Sequence, residues 1–108
     1  MKLVIAIVQD EDVGFLMDEL IENDYRVTKF ASTGGFLKSG NTTIFIGVDD
    51  DLVDDCLEII KENCSSRTST TTMMNVSTPA EVYSSVPIEI QIGGATVFVV
   101  NVEDFLRI

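Results

Sequence analysis

The sequence predicts one α+β domain over residues 1–108, in the order strand, helix, strand, strand, helix, long loop, strand, strand. Three observations carry this reading. The chain opens on an unbroken apolar run, Leu3-Val4-Ile5-Ala6-Ile7-Val8, as a strand covered on both faces does. Segments starting at Asp10 and Asp49 repeat apolar residues at helical spacing. The stretches between them favour extended backbone and are separated by Gly and Asn. At 11.9 kDa there is room for one domain and no more.

The first strand covers about residues 2–8. Asp10 is placed to cap a helix, and Glu11 and Asp12 suit its positive end. Val13, Leu16, Met17, Leu20 and Ile21 form the apolar stripe of that helix, which ends near Asn23-Asp24. Val27, Thr28 and Phe30 make 25–33 a strand. Glycines and Asn41 make 34–41 a loop, and 42–48 is the next strand. Asp49, Asp50 and Asp51 open a second helix whose stripe is Leu52, Val53, Cys56, Leu57, Ile60 and Cys64. The Ser/Thr-rich stretch 65–85 has no sustained period and reads as a long functional loop. Residues 87–92, Gly93-Gly94 and 95–102 read as a β-hairpin with a glycine turn, before a tail ending Phe105-Leu106-Arg107-Ile108. The kernel is βαββαβ, the ferredoxin-like split arrangement, with an extra strand from the C-terminal hairpin. Helices on one face of the sheet leave the other for contacts between subunits.

Composition narrows the function. Apolar residues make up 45% of a short chain, more than one small core absorbs, which points to a homo-oligomer. The opening apolar run is far below the roughly 20 residues of a membrane span and lacks a cleavage site, so a cytoplasmic protein is expected. Cys56 and Cys64 are eight apart and match neither a disulfide framework nor a CxxC motif. The net charge of −11 argues against a nucleic-acid polymer or an anionic membrane as partner. Its distribution adds more. All 18 acids avoid 25–48 and 63–80, while Arg26, Lys29 and Lys38 lie in the first window and Arg67 in the second.

The segment 28–43 carries the candidate site. Gly34 and Gly35 let backbone N–H groups converge on an anion. Thr28, Ser32 and Thr33 offer hydroxyls to phosphate oxygens, and Arg26, Lys29 and Lys38 supply charge. Phe36 sits among polar residues, where it suits a nucleobase platform; such stacking is worth about 1–3 kcal/mol. Asn41 carries donor and acceptor and can read a base edge. An ordinary hairpin with Phe36 folded onto the sheet or a neighbouring subunit accounts for the same residues. Composition does not separate the two.

This stretch, with Ile5-Ala6-Ile7-Val8-Gln9-Asp10, Gly47-Val48 and Gly93-Gly94-Ala95-Thr96-Val97-Phe98-Val99, strongly resembles the cyclic di-AMP receptors of the PII-like signal-transduction group. The likeness runs over nearly the whole chain. It implies a homotrimer that binds cyclic di-AMP between subunits, framed by loops at about 34–40 and 65–85. It implies further that Arg26 and Thr28 contact the ligand from the second strand and that Gly35 lies in the loop around it. Phe36 and Leu37 would pack on an adenine, Asn41 would bond its edge, and Gly47 would offer backbone groups. Arg107 stands in the tail, where relatives often carry a glutamine. Ordering of the long loop would then pass the signal to a downstream protein.

The other clusters read as structural. The aspartates at 49–51, 54 and 55 lack the spacing of an oxygen-ligand loop and suit a helix start, so no metal or cofactor is expected. Met73-Met74 suits a contact with a partner or subunit. With no histidine, no nucleophile beside a plausible base and no ligand cluster, the chain is not expected to be an enzyme. Two alternatives are a PII-like sensor of another adenine nucleotide and an assembly protein without a small ligand.

Overall fold

The computed structural model describes residues 1–31, 40–74 and 85–108. The apolar opening forms β1 (Lys2–Gln9), followed directly by α1 (Asp10–Glu22). Asp10 does not cap that helix: Gln9 holds the cap position, and the Asp10 carboxylate accepts the Thr42 hydroxyl at 2.5 Å. Asp24 turns the chain with φ 66°, a left-handed conformation its short side chain tolerates. β2 (Arg26–Ala31) and β3 (Asn41–Val48) follow, then a 3₁₀ turn (Asp50–Leu52) and α2 (Val53–Cys64).

β1 is central, paired antiparallel with β3 on one side and with β6 (Ala95–Asn101) on the other. The four-stranded order is β2-β3-β1-β6. This is the ferredoxin-like core expected from the sequence, with β6 as its last strand. Val4, Ala6, Val8, Ile44, Ile46 and Val48 alternate onto the face that the helices cover, where they meet Leu16, Leu20, Cys56 and Ile60. Tyr25 joins this core and donates its hydroxyl to the Asp55 carboxylate at 2.6 Å. The α2 stripe differs from the expected one at two positions: Ile59, in the middle of the helix, is buried, and Leu52, just before it, is exposed. On α1, Ile21 is exposed and the acidic Asp12 is buried.

The expected C-terminal hairpin does not form. The first of its strands, β5 (Ser85–Ile92), pairs with β4 (Arg67–Met74) in a separate antiparallel ribbon. β4 lies inside the stretch read as an irregular loop. Its run of threonines is β-branched and favours extended backbone without giving an apolar period. Gly93 and Gly94, with φ of 81° and 90°, make the corner between ribbon and sheet. Their N–H groups are taken by the Gln9 side chain at 2.8 Å and the Cys64 carbonyl at 2.5 Å. β6 then runs back along β1. The ribbon extends the molecule to 64 Å, with a radius of gyration of 18.4 Å against about 13 Å for a compact chain of this length.

Candidate functional site

Strand alternation decides which candidate residues meet. Ile44, Ile46 and Val48 face the helices, so Asn41, Thr43, Phe45 and Gly47 share the open face of β3. The register sets Arg26 beside Gly47 and Thr28 beside Phe45. The N-terminus, which also pairs with Asp50 at 2.9 Å, closes the end of this row. A cavity of about 760 Å³ opens there, lined by Arg26, Thr28 and Gly47 together with Phe30, Phe45 and the tail from Phe105 to Ile108. Phe30 and Phe45 form its aromatic floor, with ring centroids 4.5 Å apart. At Gly47 an added Cβ would sit 3.2 Å from the end of the Met1 side chain, so glycine keeps this wall open.

The electrostatics of this cavity differ from those of the rest of the chain. Its lining holds two guanidiniums, Arg26 and Arg107, and no Asp or Glu side chain. Among the described residues neither arginine forms an ion pair. Two uncommitted cations beside apolar surface suit a ligand with two negative charges and flat rings. Lys29 lies on the opposite face of β2, paired with Ile44, and does not join them. Asp24 does not line the cavity.

Asn41 stands elsewhere. It borders a second cavity, of about 520 Å³, with Gln9, Asp10, Gly40, Gln91 and Ile92 at the root of the ribbon. Asn41 and Gly47 are six residue steps apart on β3, about 20 Å along the strand. Gly35, Phe36 and Leu37 lie outside the described residues, as do Ser32, Thr33 and Lys38. Within one chain, then, three of the expected ligand residues gather in one cavity and Asn41 lines another.

Phe30, Phe45, Leu3 and Gln9 escaped the sequence reading. The first three belong to alternating apolar strands and look like core until the uncovered face is known. Gln9 carried a signal, because it stands between the apolar run and the helix, at a strand end.

A family model described as cyclic-di-AMP receptor matches residues 1–108, the whole chain. The chain belongs to the cyclic di-AMP receptor family. It is also similar to a solved structure of a functionally unknown protein from Pediococcus pentosaceus. That likeness is 46% identity over 99% of this chain and 96% of the other, with a TM-score of 0.78.

The thiols add nothing to either cavity's chemistry. Burial pushes Cys56 up to about 11, helped by the Asp55 charge, and Cys64 up to about 11, with Asp12 adding to it. Among the described residues no cluster of His, Cys, Asp and Glu could hold a metal. No described helix is long and apolar enough to cross a membrane.

Proposed function

We propose that this chain is a signalling receptor that binds cyclic di-AMP between the subunits of a homotrimer and releases it unchanged. The family match over the whole chain carries the reading. The cavity holding Arg26 and Arg107 supports it, because a pocket without Asp or Glu side chains in a chain of net charge −11 favours an anion. The roles proposed are phosphate contact for Arg26, Arg107 and Thr28, backbone contact for Gly35 and Gly47, base packing for Phe36 and Leu37, and base-edge bonding for Asn41.

The spacing on β3 supports a site shared between subunits. Asn41 and Gly47 are about 20 Å apart in one chain, farther than one cyclic dinucleotide spans when it seats both adenines and phosphates in one pocket. A ligand touching both takes them from two copies. The open sheet face supports such an assembly, since Phe30, Phe98 and Val100 stay over 40% exposed beside Leu3 and Ile5. The loops around the ligand would order on binding and alter the surface shown to a downstream protein in the cytoplasm.

Titration calorimetry with cyclic di-AMP tests the receptor reading, with cyclic di-GMP and ATP as controls. One ligand per chain at micromolar affinity or better is expected, with preference for the adenine cyclic dinucleotide. Preference for ATP would move the chain to sensing another adenine nucleotide. Subunit mixing tests the shared site. Arg26→Ala and Asn41→Ala each abolish binding in a uniform assembly. A mixed assembly regains some sites if the two residues come from different chains, and none if they come from one.

A further inference from the structure

Gln9 is the direct cross-strand neighbour of Asn41, on the same open face, with Cβ atoms about 5 Å apart. The two side chains border one cavity of about 520 Å³. Glu11, on the rim, is exposed, while the side chains of Gln91 and Asp10 are engaged. Gln91 accepts the Ser66 hydroxyl at 3.0 Å through Oε1 and donates from Nε2 to Thr68 at 3.0 Å. Asp10 accepts from Thr42, and its backbone N–H donates to the Gly40 carbonyl at 2.8 Å. Gln9 is half used. Its Oε1 accepts the Gly93 N–H at 2.8 Å, which sets which end of the carboxamide is the oxygen. Its Nε2 donates to none of the described residues.

Two adjacent carboxamides, one held with its NH₂ uncommitted, match an adenine edge, which presents ring-nitrogen acceptors beside an amino donor. We propose that Gln9 is a further ligand residue, donating from Nε2 to a ring nitrogen of the adenine that Asn41 bonds. This rests on the cyclic di-AMP reading above. It also joins the ligand to the ribbon, because the same side chain holds the glycine corner that leads from β5 of the ribbon into β6 of the sheet. Gly93 is confined there: an added Cβ would lie 2.4 Å from the Ser65 carbonyl oxygen and 2.6 Å from Arg67 Nη1.

The test compares Gln9→Glu and Gln9→Met with the wild-type chain by calorimetric titration of cyclic di-AMP. Gln9→Glu keeps an acceptor for Gly93 and loses the donor. Both variants should bind about tenfold more weakly, the size of one neutral hydrogen bond. For Gln9→Glu the deficit relative to wild type should persist at high salt, where repulsion from the added charge is screened. The Gly93 amide, followed by hydrogen exchange, should stay protected in Gln9→Glu. Wild-type affinity in both variants overturns the proposal. So does a deficit confined to Gln9→Met with an unprotected Gly93 amide, which would make Gln9 a structural tie only. Absence of binding by the wild-type chain sinks the receptor reading itself, whereas wild-type binding with unchanged variants sinks only the role of Gln9.

Discussion

The helix-backed sheet and the β4-β5 ribbon are built from similar strands and held in different ways. Among the described residues, every buried hydrophobic residue of the core belongs to the sheet, the helices or the turn at Tyr25, and none to the ribbon. The ribbon sets Ile88, Ile90 and Ile92 along one face, and Ile90 is 41% exposed. It is attached at its root. There Arg67 grips the buried Asp12 carboxylate with Nη2–Oδ1 at 2.7 Å and Nη1–Oδ2 at 3.4 Å, and also donates to the Ser65 carbonyl at 3.1 Å. β-branched residues suffice to extend a chain, but a two-stranded ribbon is marginal in water unless something covers it. The lesson is that strand formation and strand stabilisation are separate here. The sheet is stabilised by its own helices, and the ribbon by a few polar ties at its root.

Substitutions at the two places should therefore behave differently. The largest effect is expected for Leu16→Ala, which empties a fully buried position under the sheet. It should cost about 3–4 kcal/mol and lower the whole unfolding transition in urea. A midpoint near wild type would mean that the sheet depends less on its helices than its burial indicates.

Gly93→Ala should act locally. The residue has φ 81° and no room for a methyl group. A penalty of about 2 kcal/mol is expected at the corner. Hydrogen exchange should quicken along 67–74 and 85–92 while β1 stays protected. Equal loss of protection in β1 would show that sheet and ribbon open together.

Arg67→Met should lower stability by less than Gly93→Ala does, as a smaller shift in urea midpoint. Asp12, only 4% exposed, loses its partner, but the arginine side chain is 44% exposed and water screens the pair. Proteolysis should again find the ribbon first. Uniform destabilisation would place the clamp in the core.

The smallest effect at neutral pH concerns the buried thiols, which act only above about pH 9. The folded chain holds the Cys56 and Cys64 protons up to about pH 11, whereas the unfolded chain releases them near the ordinary value of 9.0. The folded state binds more protons between those values, so stability falls as pH rises from about 9 to 11. Tyr25, raised by burial and then by its bond to Asp55, extends the fall to higher pH. The slope of urea midpoint against pH should flatten in Cys56→Ala. An unchanged slope would mean that Cys56 is solvated in the folded chain.

Much of the sheet was legible in the residues. The run 3–8 could only be a covered strand, and the helical spacing from Val13 and from Leu52 predicted both helices and most of their inward faces. Ile21 and Leu52 are exposed instead, and Ile59 was missed. Arg26, Thr28 and Gly47 were named from the family likeness, and the register of β2 on β3 brings them to one cavity. The place of Asn41 was not legible: sequence nearness to the glycine loop says nothing about which cavity a strand end borders.

The sequence by itself determined the βαββαβ order, the acid-free windows and the family likeness, since each depends on local propensity, local charge or residue identity. Tertiary structure alone decided that β5 pairs with β4 while β6 runs beside β1. It decided too that Asp12 is buried beneath Arg67, that Lys29 faces away from Arg26, and that Gln9 stands between Asn41 and Gly93. The physical reason is that backbone hydrogen bonds carry no residue identity. Any two extended segments can pair, and competition between the ribbon and the β1 edge is settled by which pairing lets the helices bury their apolar faces and leaves every buried N–H and charge a partner.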